Sequence, residues 1–232
     1  MLAAAAVALS AAAGVAAGRQ PLAGGAQAHF PQQAPYAGPG AIPPATQTRL
    51  VRELAGGANV TMYLRTGLCL HAEQCYAHLY TDGQLATVVP ELLRNASAQG
   101  VRVLANIGVE GFVARYRTPA AIESASFAYA AAIARELRPL GVRHYELGNE
   151  EDNRCLLGGN GDKMTEYNQT KYRQHLGWLR GLCAGVRSVD STAVRVVSNA
   201  GWLHTGWFDM LDRDGLQYLL RAISMSTYPH SF

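Results

Sequence analysis

Short β-type runs alternate with longer stretches of helical periodicity along most of this chain, and that alternation limits its fold more than any other feature. The runs are 24–30 (GGAQAHF), 60–64 (VTMYL), 101–107 (VRVLANI), 142–147 (VRHYEL), 193–198 (AVRVVS) and 222–227 (AISMST). Helical segments lie between them. Residues 84–98 carry Leu85, Val88, Val89, Leu92 and Leu93 on one face, with Pro90 predicting a kink or break and Gly100 a stop. Thr118 and Pro119 open a helix with Ile122, Tyr129, Ile133 and Leu137 along one side, closed by Gly141. A further helix over 165–189 places Leu176, Leu179, Leu182 and Val186 together, and shorter ones are expected at 47–54 and 216–220. A strand followed by a helix and then another strand implies a crossover connection, hence parallel pairing. No glycine-rich phosphate loop opens any of these helices, which removes the usual support for a nucleotide-binding sheet. The expected class is therefore α/β, a (β/α)₈ barrel. A whole barrel takes about 250 residues, so the chain is expected to be truncated after about six βα units.

Barrel enzymes carry their chemistry at the C-terminal ends of the strands. Here those ends are His29, Arg65, Asn106, the run Leu147-Gly148-Asn149-Glu150, Asn199 and Tyr228, which are expected to converge on one face. Glu146 alternates in phase with Gly148 and Glu150 and is expected to point inward. Trp202, His204 and Trp207 cluster after the fifth strand. Aromatic faces beside a cleft suit the apolar face of a sugar ring, although packing in the core is the ordinary use of tryptophan. Trp178, within a helix, is read as core.

The segment 144–152 (HYELGNEED) resembles the strand-four motif of the clan A glycoside hydrolases, in which an Asn-Glu pair ends that strand. A His-Phe ending strand one, an Arg after strand two and a Tyr-Pro ending strand six extend the resemblance over most of the chain, which is similar in particular to families related to family 39. The resemblance implies a retaining O-glycosidase acting on a β-linked glycan or glycoside. Glu150 would be the acid/base catalyst and Asn149 would bind the sugar 2-hydroxyl. Arg65 and Tyr228 would approach the nucleophile, while His29, Asn106, Trp202 and His204 would line the cleft. Glu151 stands where such enzymes often carry Pro and is read as a solvated loop residue. The nucleophile normally ends strand seven, so the chain is expected to lack that half of the pair. A catalytically inactive barrel used for carbohydrate binding or as a scaffold is the alternative. A metal-binding role for Glu150 lacks a histidine cluster to support it, so no cofactor and no metal are expected.

Export and partners follow from composition. Residues 1–18 (MLAAAAVALSAAAGVAAG) are small and apolar, and Val15-Ala16-Ala17 resembles a signal-peptidase site. The division expected is a signal peptide at 1–18 and one catalytic domain over 19–232, secreted, with anchoring by the N-terminal segment as the alternative. Twenty basic and 17 acidic residues are scattered without a basic run, so the expected partner is a carbohydrate rather than nucleic acid. In an exported chain Cys69 with Cys75, and Cys155 with Cys183, are candidates for disulfides, and burial as small apolar side chains is the equal alternative. Sequons stand at Asn59, Asn95 and Asn168.

Overall fold

The structure, a computed structural model, describes residues 23–27, 42–54, 56, 61–68, 82–108, 111–199, 204–216 and 222–225. The chain divides into two compact units, Met1–Ala105 and Asn106–Phe232. The expected signal peptide, Cys69 and Cys75 lie outside the described residues, as do His29, Trp202 and Tyr228. No helix among the described residues is long and apolar enough to cross a membrane.

In the first unit, β1 (Ala23–Gln27), β2 (Thr61–Gly67) and β3 (Val101–Ile107) are neighbours in that order, β3 ending just past the boundary. β1 and β2 run parallel, with Gln27 opposite Arg65. Helices α1 (Pro44–Glu53) and α2 (Asp82–Ala98) connect them. β2 alternates between buried Met62, Leu64 and Thr66 and half-buried Tyr63 and Arg65, the period-2 pattern of a strand with unlike faces. Of the kink or break expected at Pro90, the break is absent, since α2 runs unbroken through it. A proline removes one helical donor and frees the carbonyl four residues back. That residue is Ala86, which is exposed, so water can take the freed carbonyl.

The second unit repeats the plan. The end of β3 is followed across the sheet by β4 (His144–Leu147), β5 (Val194–Asn199) and β6 (Ala222–Met225). β4, β5 and β6 pair in parallel, with Glu146 opposite Val196 and Asn199 opposite Met225. The α/β class and the parallel pairing read from the alternation are thus observed. Helix α3 (Pro119–Leu137) starts as its sequence predicts, with the Ala121 N–H donating to Thr118 Oγ1 at 3.2 Å and Pro119 in the first turn. It runs on into a 3₁₀ turn that ends at Gly141, φ 90°, a left-handed conformation that costs glycine little. Thr118→Ala is expected to lower stability by about 1 kcal/mol, the usual worth of such a cap, measured by urea denaturation. An unchanged midpoint would mean water replaces the hydroxyl.

Helix α5 (Gln169–Val189) is capped by Asn168, whose side-chain oxygen accepts from Lys171 N–H at 3.0 Å. Leu176, Leu179, Leu182 and Val186 are buried as the periodicity requires. Glycines are interleaved with them. A Cβ added at Gly177 would lie 2.6 Å from Pro119 O, one at Gly181 2.3 Å from Glu123 O, and one at Gly185 2.4 Å from Phe127 O. Spaced four residues apart, these glycines form one row along α5, and α3 lies directly on it.

Two elements differ from expectation. A helix that the sequence did not lead one to expect, α6, covers Thr205–Arg213 with Trp207, Met210 and Leu211 buried at helical spacing, while the short helix expected at 216–220 lies, past Leu216, outside the described residues. A one-turn helix, α4 (Glu151–Cys155), follows β4 where a loop was expected.

Candidate functional site

The site is built in the second unit, on the turn that leaves β4. Leu147 is fully buried, and the backbone then passes through Gly148 at φ 75° and Glu150 at φ 53°, ψ 45°. Glu150 is the one non-glycine residue with positive φ among those described, a conformation L side chains adopt at a cost. Close approach of backbone to backbone enforces the path. Gly148 N–H donates to Ile107 O at 3.1 Å, and a Cβ at Gly108 would lie 3.3 Å from Gly148 Cα. Asn106 Nδ2 donates to Gly148 O at 2.6 Å and to Glu146 Oε2 at 2.7 Å. Asn106 is therefore a buried brace that ties the end of β3 to β4.

Three glutamates lie within six residues of chain, and their surroundings differ. Glu146 is fully buried, as its phase in the strand predicts, and is held by Asn106. Glu151 is 6% exposed, contrary to its reading as a solvated residue. Its Oε1 accepts the Asn149 N–H at 3.1 Å and its Oε2 lies 2.5 Å from His175 Nδ1, with Arg154 Nε 3.8 Å away. A buried carboxylate needs such partners to offset its lost hydration. Glu150 is partly exposed and Asn149 exposed. Of the three glutamates, Glu150 is the one that is not buried.

Asp152, fully buried, repeats the arrangement of Glu151 by lying 2.5 Å through Oδ2 from His204 Nδ1. His204, at 4% exposure, thereby anchors the start of α6 to α4. Trp207 is buried, 5.5 Å from the Tyr172 ring and edge-on to it. Both are packed side chains in this structure. Arg65 is half-buried in the first unit. Cys155 and Cys183 are buried and form no disulfide. Burial, reinforced by the charges of Glu151 and Asp152, pushes the Cys155 thiol up to about 12, so it is no nucleophile at neutral pH.

Beside the turn a recess of about 410 Å³ is lined by Glu151, Arg154, Lys171, Gln174, His175 and Trp178, with residues 111–114 completing the wall. Phe112 and Trp178 pack together there, ring centroids 4.4 Å apart. Among the described residues no group of three or more His, Cys, Asp or Glu side chains is gathered to hold a metal ion. The Glu151–His175 and Asp152–His204 pairs were not legible in the sequence. Their partners stand 24 and 52 residues apart, with no local pattern joining them.

No family model matches the chain, and no curated protein matches it. Among solved structures it is similar to an Ignisphaera aggregans GH53 catalytic domain, at 16% identity over 77% of this chain and 52% of that one, TM-score 0.49. A family 1 b-glucosidase from Thermotoga maritima is similar at 12% identity over 66% of this chain and 37% of that one, TM-score 0.44. Virulence factor SghA, solved with its substrate analog salicin, is similar at 11% identity over 68% of this chain and 36% of that one, TM-score 0.47. The chain spans about half the length of the first of these and little over a third of the other two.

Proposed function

We propose that this chain forms part of a secreted (β/α)₈-barrel glycoside hydrolase that cleaves β-linked glycans or glycosides with retention of configuration, Glu150 serving as its acid/base catalyst. The observation that carries the reading is the contrast among the three glutamates at the end of β4. Glu146 and Glu151 are buried, while Glu150 is only half-buried and is held in a left-handed turn at a strand end. An acid/base catalyst has to reach the glycosidic oxygen, which a fully buried carboxylate cannot do. Asn149, one residue earlier and exposed, is suited to hydrogen-bond the sugar 2-hydroxyl, a contact that strengthens as the oxocarbenium-like transition state forms.

The reaction starts with Glu150 giving its proton to the leaving oxygen as the glycosidic bond breaks. A second carboxylate, about 5 Å away in enzymes of this mechanism, bonds to the anomeric carbon. Glu150, now ionised, then takes a proton from water as the oxygen of that water displaces the carboxylate. The test is hydrolysis of a panel of 4-nitrophenyl β-glycosides and unactivated β-glycans by the protein that carries this chain, with the first-formed anomer read by proton NMR. A β-anomer product is expected. Inversion, or no hydrolysis of any glycoside with retained glycan binding, overturns the reading and favours a non-catalytic carbohydrate-binding barrel.

A further inference from the structure

We infer that Glu151 and His175 form a positioning pair that fixes the turn presenting Glu150, an inference that rests on the acid/base reading of Glu150. Two left-handed residues, Gly148 and Glu150, flank Asn149, so the Asn149 peptide decides how the turn is oriented. Its N–H is held by Glu151 Oε1 at 3.1 Å. The Glu151 side chain folds back over its own turn so closely that a Cβ at residue 148 would lie 2.8 Å from its Cγ and Oε1. The Glu151 side chain thus fills the space that Gly148 leaves, and a side chain at residue 148 would displace it.

The second oxygen of Glu151 connects this turn to a rigid element. Oε2 lies 2.5 Å from Nδ1 of His175, which is 7% exposed in the first half of α5. That helix is 21 residues long and seated on α3 by its glycine row. A strained, non-glycine left-handed residue persists only where its surroundings over-determine it. Here the restraint passes from α5 through the His175 ring and the Glu151 carboxylate to the Asn149 N–H, and so to the backbone of Glu150.

The recess offers Glu151 another place to turn once the restraint is removed. Arg154, with 41% of its side chain exposed, stands 3.8 Å from Oε2 on the recess wall, and Lys171 lines the same wall. Without the His175 ring, Glu151 has an open volume and two cations to turn toward. Asn149 N–H then loses its acceptor, and Glu150 is free to relax out of the left-handed region. Glu151 and His175 are positioning residues, acting through Glu150 without touching the substrate.

The test uses His175→Phe, which fills the space without a donor, and His175→Asn, whose side-chain amide restores a donor near the position of Nδ1. The carboxyl group of Glu150 is followed by carbon-13 NMR in glutamate-labelled protein, its resonance identified by its absence in Glu150→Gln. His175→Phe is expected to move the titration midpoint of Glu150 and to lower kcat by about 10²-fold, the scale of a 1 Å misplacement, with KM changed less than about threefold. His175→Asn should return both midpoint and kcat toward wild type. If His175→Phe lowers only the melting temperature and leaves the Glu150 midpoint and kcat at their wild-type values, the pair is merely structural and the inference is overturned. If His175→Phe fails to fold, Glu151→Gln against His175→Asn gives the same comparison. Should wild type hydrolyse no glycoside, the catalytic reading fails by itself, and the Glu150 midpoint still decides whether the pair positions that residue.

Discussion

Gly181→Leu is expected to lower the melting temperature of the protein by about 10 °C or more. A Cβ at residue 181 would lie 1.9 Å from Ser126 Oγ and 2.3 Å from Glu123 O. The hydroxyl can rotate away, but the carbonyl belongs to the backbone of α3 and cannot. Relief requires the two helices to separate, and the rows at Gly177 and Gly185 resist that because they touch α3 backbone on either side. Overpacking of this kind costs about 1–3 kcal/mol where side chains alone must adjust, and more where a helix must move. In a chain of this size each kcal/mol is worth about 2–4 °C. Gly181→Ala should fall between leucine and wild type, since alanine gains about 1 kcal/mol of helix propensity while meeting the same carbonyl. Ala184, exposed on the same helix, supplies the control: Ala184→Leu should melt within about 1 °C of wild type. Circular dichroism on all three decides the matter, and a Gly181→Leu protein as stable as the control would show that α3 and α5 do not meet as described.

The alternation of elements was legible because each signal is local. A period of two in β2, an N-cap threonine followed by proline at α3, and leucines three and four apart in α5 all act within a few residues of themselves. What failed were signals that depend on partners distant in sequence. Pro90 looks like a breaker until Ala86, the residue whose carbonyl it frees, is found at an exposed position. Trp207 looks like a sugar platform until Tyr167 and Tyr172 are found against it, 6.1 and 5.5 Å away. Glu151 looks like a loop carboxylate until His175 closes on it from α5. The glycines of α5 were visible at spacing four, yet a glycine in a helix reads as a defect unless the neighbouring backbone that occupies its missing side chain is in view. Glu150 was singled out from its place after a strand together with the Asn-Glu pair. Its left-handed backbone, which sets it apart from Glu146 and Glu151, follows from contacts that no single-residue propensity contains.

Glu150→Ala is expected to slow hydrolysis of unactivated β-glycosides by about 10²–10⁴-fold, the range that general acid/base catalysis supplies, when assayed in the protein that carries this chain. The effect should depend on the leaving group. An alkoxide leaving without protonation is a poor departure, so natural glycans lose most. A nitrophenolate departs readily as an anion, so the first step on an activated aryl glycoside suffers least and the glycosyl-enzyme accumulates. Its breakdown then lacks the base that would take a proton from water. Azide, which needs no deprotonation, should attack the anomeric carbon in place of water, restore turnover and yield a β-glycosyl azide. Glu151→Ala should give a different pattern. Its loss disturbs the turn through Asn149, so both substrate classes should slow together, and azide should not help because Glu150 still serves as base. Kinetics on the two substrates, with and without azide, separate a group that transfers a proton from one that aims it. If Glu150→Ala hydrolyses an unactivated glycoside within a few-fold of wild type, the proton comes from elsewhere, and the same azide experiment on Glu151→Ala would identify Glu151 as the donor if rescue appeared there.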